Sequence, residues 1–172
     1  MNDTFLPGNG FDTYEEQDRI LMGLSGSVRS GVAVRILQQQ GFAVAAAVVR
    51  LADTPEEHAA AEAAKALAKK LDVECLALNA EALAGQDVEA ARFAALLTAA
   101  DKLGIQYVAS GHYARMETDT QGVSHLFPPE SGAPDESNRL AALSPEVLAR
   151  LILPLGDFAP EDVEDMAEDF KL

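Results

Sequence analysis

Apolar and polar positions alternate along this chain in a rhythm of short apolar runs and longer helical patterns. The run at Arg19–Leu24 reads as a strand, and Ser30–Gln40 as a helix that Gly41 stops in the usual post-helix position. Phe42–Leu51 is a continuous apolar run with β-branched residues near its end, which predicts a strand buried on both faces. Thr54-Pro55-Glu56-Glu57 is a helix start: Thr54 as N-cap, Pro55 in the first turn and Glu57 closing a capping box. The alanine-rich stretch that follows runs to Lys70, with Lys65, Lys69 and Lys70 near the negative end of the helix dipole. Val73–Leu78 is a third predicted strand, Gln86–Leu103 a third long helix ended by Gly104, and Ile105–Ser110 a fourth strand.

Strands alternating with helices at this spacing imply right-handed crossovers and an α/β fold built on a doubly wound parallel sheet with helices on both faces. After Gly111 the pattern changes. Tyr113–Glu117 and Val123–Phe127, separated by Thr118–Gly122, predict a hairpin, and Pro128–Ser137 a loop. Ser144-Pro145-Glu146 caps a helix expected to reach about Leu153, and Pro160–Phe170 is a last helix. The expected organisation is an N-terminal arm at 1–18, an α/β domain at 19–127 and a helical extension at 128–172 packed on the same domain.

The most informative chemistry lies after the first strand. Gly23, Leu24, Ser25, Gly26, Ser27, Val28, Arg29 and Ser30 form a short Gly/Ser loop feeding a helix. In that arrangement successive backbone N–H groups and the helix dipole converge on one anion. Ligands of parallel sheets bind at the carboxyl ends of the strands, where the Ser110-Gly111-His112 turn also belongs. His112 would either touch a ligand there or brace the loop with its ring.

Composition narrows the partners. The 172 residues carry 28 acids against 13 bases, a net charge of −15. A chain that grips RNA through phosphates normally shows a basic face, so tRNA is not expected as a partner of this chain alone. The last helix holds six acids; they read either as a solvated face or as a contact for a basic protein partner. The one cysteine, Cys75, reads as an inert residue of the third strand's core, and a cytoplasmic setting follows from its lack of a disulfide partner. No apolar run reaches the roughly 20 residues of a membrane span. His58 and His125 show no ligand-like spacing, and no metal site is expected.

Several stretches together resemble the bacterial tRNA-specific 2-thiouridylases of the PP-loop ATP pyrophosphatase superfamily, whose fold is of the adenine nucleotide alpha hydrolase type. The loop at 23–30 resembles that family's G-x-S-G-G-V-D-S, and Gly41-Phe42-Ala43-Val44 its Q-G-Y-E-V. Leu103–Arg115 closely resembles L-G-A-D-Y-I-A-T-G-H-Y-A-R, and Leu143–Arg150 with Pro154-Leu155-Gly156 resembles L-S-x-E-Q-L-A-R and F-P-L-G. The resemblance implies ATP or AMP as cofactor, with phosphate at 23–30, adenine against the backbone of Val49 and Gly111 near the nucleotide.

The departures matter as much. Arg29 stands where the family has the loop aspartate, and Ser27 where it has a second glycine. An arginine repels Mg²⁺ and binds an anion directly, which argues against Mg-ATP cleavage and leaves phosphate binding open. The family's first catalytic cysteine falls at Asp87, so no catalytic residue is expected there. The family's K-D-Q-S corresponds to Pro134-Asp135-Glu136-Ser137. The expected function is a degenerate PP-loop pseudoenzyme that binds a small phosphate-containing ligand or a protein partner. The alternative is a sulfurtransferase that needs another chain for its thiols and its tRNA surface.

Overall fold

A computed structural model describes residues 18–130 and 132–172; the expected arm, apart from Asp18, lies outside these residues. Strand β1 (Arg19–Gly23) lies at the centre of a five-stranded sheet of order β3-β2-β1-β4-β7, with every neighbouring pair parallel. Its partners are β2 (Ala43–Arg50) on one side and β4 (Tyr107–Ala109) on the other, with β3 (Cys75–Asn79) and β7 (Leu151–Ile152) at the edges. Helices α1 (Val28–Gln39), α2 (Pro55–Leu71), α3 (Val88–Leu103), α4 (Pro145–Arg150) and α5 (Pro160–Asp169) complete the layers.

The central strand shows why both faces are covered. Ile20, Leu21 and Met22 are fully buried, and alternation turns Ile20 and Met22 to one face and Leu21 to the other. The first face packs on Val32 and Ile36 of α1, Ala64 and Ala68 of α2, and Val163 and Ala167 of α5. The second packs on Phe93 and Leu96 of α3, Val147 of α4 and Leu140. The chain is therefore doubly wound. Its direction of travel reverses between β1 and β4, and the crevice at that reversal is where ligands of such sheets enter.

Local signals explain the element ends. Thr54 Oγ1 accepts the Glu57 N–H at 3.2 Å, and Pro55 begins α2. Gly104 ends α3 in the left-handed region, at φ 70°, and Asp72 ends α2 there at φ 59°, a site glycine more commonly fills.

Five expectations need correction. Glu57 does not close a capping box: its Oε1 accepts the Leu51 N–H at 2.8 Å, fastening the end of β2 to α2. The helix expected to reach Leu153 stops at Arg150, and Leu151–Ile152 pair with Val108 and Ala109 as the fifth strand. The hairpin starts later, as β5 (Arg115–Thr118) and β6 (Ser124–Phe127), with Gly122 at φ 83° in the turn. Only Ala46–Val48 of β2 is fully enclosed, so this strand is not buried along its whole length. Cys75 is half-buried because β3 is an edge strand. Burial still pushes its thiol pKa up, opposed by the Lys65 charge.

Candidate functional site

The loop between β1 and α1 is tied to itself and to its neighbours. Leu24 N–H donates to the Ala47 carbonyl at 2.8 Å, carrying the end of β1 over β2. Ser27, in extended backbone, caps α1 by accepting the Ser30 N–H at 3.3 Å. Ser25 Oγ lies 2.7 Å from Ser27 Oγ and donates to Ser30 Oγ at 3.2 Å; Ser30 Oγ also reaches the carbonyls of Ser25 and Ser27 at 2.9 and 2.8 Å. Gly26 is needed for close approach, since a Cβ there would stand 2.5 Å from Ala63 Cβ on α2. The N–H groups of Val28 and Arg29, the first two positions of α1, have no intrahelical acceptor and sit at the positive end of the helix dipole.

This loop forms one wall of a cavity of about 230 Å³ at the carboxyl edge of the sheet. Gly23, Leu24, Ser25, Gly26, Ser27, Arg29 and Ser30 line it, joined by Val49 from β2 and by Ser110, Gly111 and His112 after β4. Sequence-predicted residues from three separate segments therefore meet around one space. Val28 does not line it and is 47% exposed. The sequence did not point to Glu57 and Ala60 of α2, Glu89, Arg92, Phe93 and Leu96 of α3, or Arg139, which close the cavity. These residues reach the cavity only through the crossover connections. The strongest signal any of them carried was the helix-start motif at Glu57, which pointed to a cap and not to a site.

A chain of alternating charges runs across the site. Arg29 Nη2 lies 3.4 Å from Glu136 Oε2, and its guanidinium carbon 4.6 Å from the centre of the Tyr113 ring. The same Glu136 oxygen accepts from Arg139 Nη1 at 3.2 Å, and Arg139 Nη2 donates to Glu89 Oε2 at 2.9 Å. Glu89 Oε2 also faces His112 Nε2 at 3.4 Å, while His112 Nδ1 pairs with Ser110 Oγ at 2.7 Å. His112 thus both lines the cavity and braces the Gly111 turn. Burial pushes the Glu89 carboxyl pKa up. Hydrogen bonding and charge from His112, with Arg92 and Arg139, outweigh it and hold the group below its ordinary value.

Asp87 does not line the cavity. It caps α3, its Oδ2 accepting the Ala90 N–H at 3.0 Å. Cys75 lies outside the cavity as well. His58 and His125 each pair with one exposed carboxylate, Asp53 at 2.5 Å and Asp119 at 2.9 Å. Among the described residues, no three His, Cys, Asp or Glu side chains are grouped to hold a metal ion, and no helix is long and apolar enough to cross a membrane. On α5, Val163 and Ala167 are buried toward α1, and Glu161, Glu164, Asp165, Glu168 and Asp169 are distributed over its remaining, less enclosed surface.

Residues 84–172 match the family described as the tRNA methyl transferase HUP domain. The chain is 30% identical to the tRNA-specific 2-thiouridylase MnmA of Lactococcus lactis, across 88% of its own length and 48% of the relative's. Against MnmA of Yersinia pestis the identity is 33%, across 91% and 49%. The chain spans about half the length of the curated relatives it matches. Among solved structures it shares the fold of the U34-tRNA thiolase NcsA from Methanococcus maripaludis, with a TM-score of 0.61 at 15% identity over 90% of this chain and 57% of that one. It also shares the fold of a predicted subunit of tRNA methyltransferase from Methanocaldococcus jannaschii, with a TM-score of 0.53 at 16% identity over 88% and 76%.

Proposed function

We propose, for a chain that belongs to the tRNA methyl transferase HUP domain family, a role in binding a small phosphate-containing ligand without thiolating tRNA itself. The observation that carries this reading is Arg29: a guanidinium, and no carboxylate, stands on the loop that lines the cavity. A dianionic phosphate there meets the N–H groups of Val28 and Arg29, the helix dipole and the Arg29 side chain together. A divalent cation meets the positive charge of Arg29 in the same place. The cavity, about 230 Å³, lies below the roughly 300–1,000 Å³ of ordinary ligand pockets, which favours a small phosphate-containing ligand such as pyrophosphate. A bound nucleotide would place its phosphate on residues 25–30 and its base toward Val49 and Gly111.

Thiolation needs an activated carrier thiol and a second thiol to release sulfur. The position the 2-thiouridylase resemblance assigns to the first is Asp87, which caps a helix, and Cys75 sits on an edge strand outside the cavity. The net charge of −15 disfavours a polyanionic partner for this chain alone and favours a basic protein partner, for which the acids of α5 are the proposed contact. The setting we propose is the cytoplasm.

Calorimetry with ATP, AMP and pyrophosphate, each with and without Mg²⁺, tests the reading. The expected result is metal-independent binding that Arg29→Ala weakens by about tenfold, as for the loss of a hydrogen bond to a charged group. Mg-dependent ATP binding with release of pyrophosphate would overturn it.

A further inference from the structure

One carboxylate stands behind the cavity and holds two of its cationic walls. Glu136 Oε2 lies 3.4 Å from Arg29 and 3.2 Å from Arg139, both of which line the cavity, whereas Glu136 does not. Its other oxygen accepts the backbone N–H of Tyr113 at 2.7 Å, and its side chain is only 13% exposed. These contacts are unequal. The bond from Tyr113 is short and fixes the carboxylate to the backbone. The approach to Arg29 is long beside the roughly 2.7–2.9 Å of a strong charge-assisted bond. Arg29 also rests on the face of Tyr113, a broad platform over which a guanidinium can shift and keep its contact.

We propose that Glu136 sets the affinity of the site for phosphate-type anions by competing with them for Arg29. This rests on the reading that the cavity binds such an anion through Arg29. In the free protein Arg29 is shared with an internal carboxylate that cannot leave, because Tyr113 holds it. An incoming phosphate draws the guanidinium toward the loop and leaves Glu136 to Arg139 and Tyr113. The ligand therefore binds against an anion already in the structure. Replacing Glu136 by glutamine keeps an oxygen for the Tyr113 N–H and puts an amide NH2 where Oε2 accepted from Arg29 and Arg139, which removes the competing charge together with its acceptor.

Calorimetry with pyrophosphate, without metal, on the wild type, Glu136→Gln, Arg29→Ala and the double variant tests this. Glu136→Gln is expected to tighten pyrophosphate binding about three- to tenfold, the scale of a partly exposed ion pair to somewhat above it. The double variant is expected to bind no better than Arg29→Ala. In the wild type, the Glu136 carboxyl carbon and the Tyr113 amide should shift in NMR spectra as pyrophosphate is added, a readout that needs no variant. Three results would overturn the proposal: unchanged or weaker binding by a Glu136→Gln protein of wild-type melting temperature, tightening that survives in the double variant, or wild-type binding that leaves both signals still. A wild type and a Glu136→Gln protein that both bind no pyrophosphate overturn the phosphate reading and this proposal with it, whereas binding that appears only in Glu136→Gln supports both.

Discussion

His112 Nε2 and Glu89 Oε2 face each other at 3.4 Å across the cavity floor, one after the end of β4 and the other in the first turn of α3. Burial works to raise the Glu89 carboxyl pKa, and its contacts with His112, together with Arg92 and Arg139, hold it below the ordinary value. A carboxylate whose folded pKa lies below its unfolded value of about 4.3 stabilises the fold above that pH, and loses this contribution as pH falls through the folded value. Glu89→Gln should therefore be less stable than the wild type at pH 6, by about 1–3 kcal/mol. The gap should narrow as the pH falls below about 4. Urea unfolding at a series of pH values measures it, and a gap independent of pH would remove this account of Glu89.

Gly26→Ala should destabilise the chain by about 1–3 kcal/mol, because the new methyl group must displace α2 from the loop. Since the obstacle is Ala63 Cβ, adding Ala63→Gly should return part of the loss. A double-mutant cycle with no coupling between the two positions would show that the close approach is not the cause.

Asp87→Cys would place a thiol where the resemblance expects one, and the structure gives its effect as loss of a helix cap. The expected cost is about 1 kcal/mol, and Asp87→Asn should be close to neutral, since both Asp and Asn accept the Ala90 N–H. Chemical denaturation of the two variants makes the comparison.

Arg150 joins the last turn of α4 to the end of α3 and the α3–β4 connection on the same face of the sheet. Its guanidinium donates to the carbonyls of Gln106 and Ile105 at 2.7 and 2.9 Å and to Asp101 at 2.7 Å. Lysine has one ammonium for these three acceptors, so Arg150→Lys should cost about 1–2 kcal/mol. Amide hydrogen exchange should locate the loosening at Leu151 and Ile152, next to it in the sheet.

Restoring an acidic loop by Arg29→Asp with Ser27→Gly should not restore Mg-ATP binding. The change removes the guanidinium that pairs with Glu136 and adds a second negative charge on the same side of the site, so that Glu136 keeps only Arg139 as an ion-pair partner. Adding Glu136→Gln should raise the melting temperature of that variant. Isothermal calorimetry and thermal unfolding report the two effects separately.

The sheet was legible where the chain itself marks its turns. Gly41 and Gly104 follow α1 and α3, Thr54-Pro55 opens α2, and the apolar run at 19–24 contains β1. The fifth strand was not legible, because two residues after a helix carry no alternation to detect and pair only because β4 offers a free edge. In the site, the loop and the Gly111 turn were readable because each holds its chemistry within a few residues. Glu136 is 107 residues from Arg29, and Arg139 is 50 from Glu89. Such pairs are produced by the topology, not by any local pattern. Glu57 shows the opposite failure: a local motif was available, yet its carboxylate turns to Leu51 instead.

The hydroxyls of Ser25, Ser27 and Ser30 bind one another and the loop's own carbonyls. Conformational order that many anion loops acquire only on meeting their ligand is here acquired on folding. A phosphate ligand bound as we propose would dock onto a finished surface. The rate of that proposed binding should follow electrostatic encounter and the release of Arg29, with little contribution from loop closure.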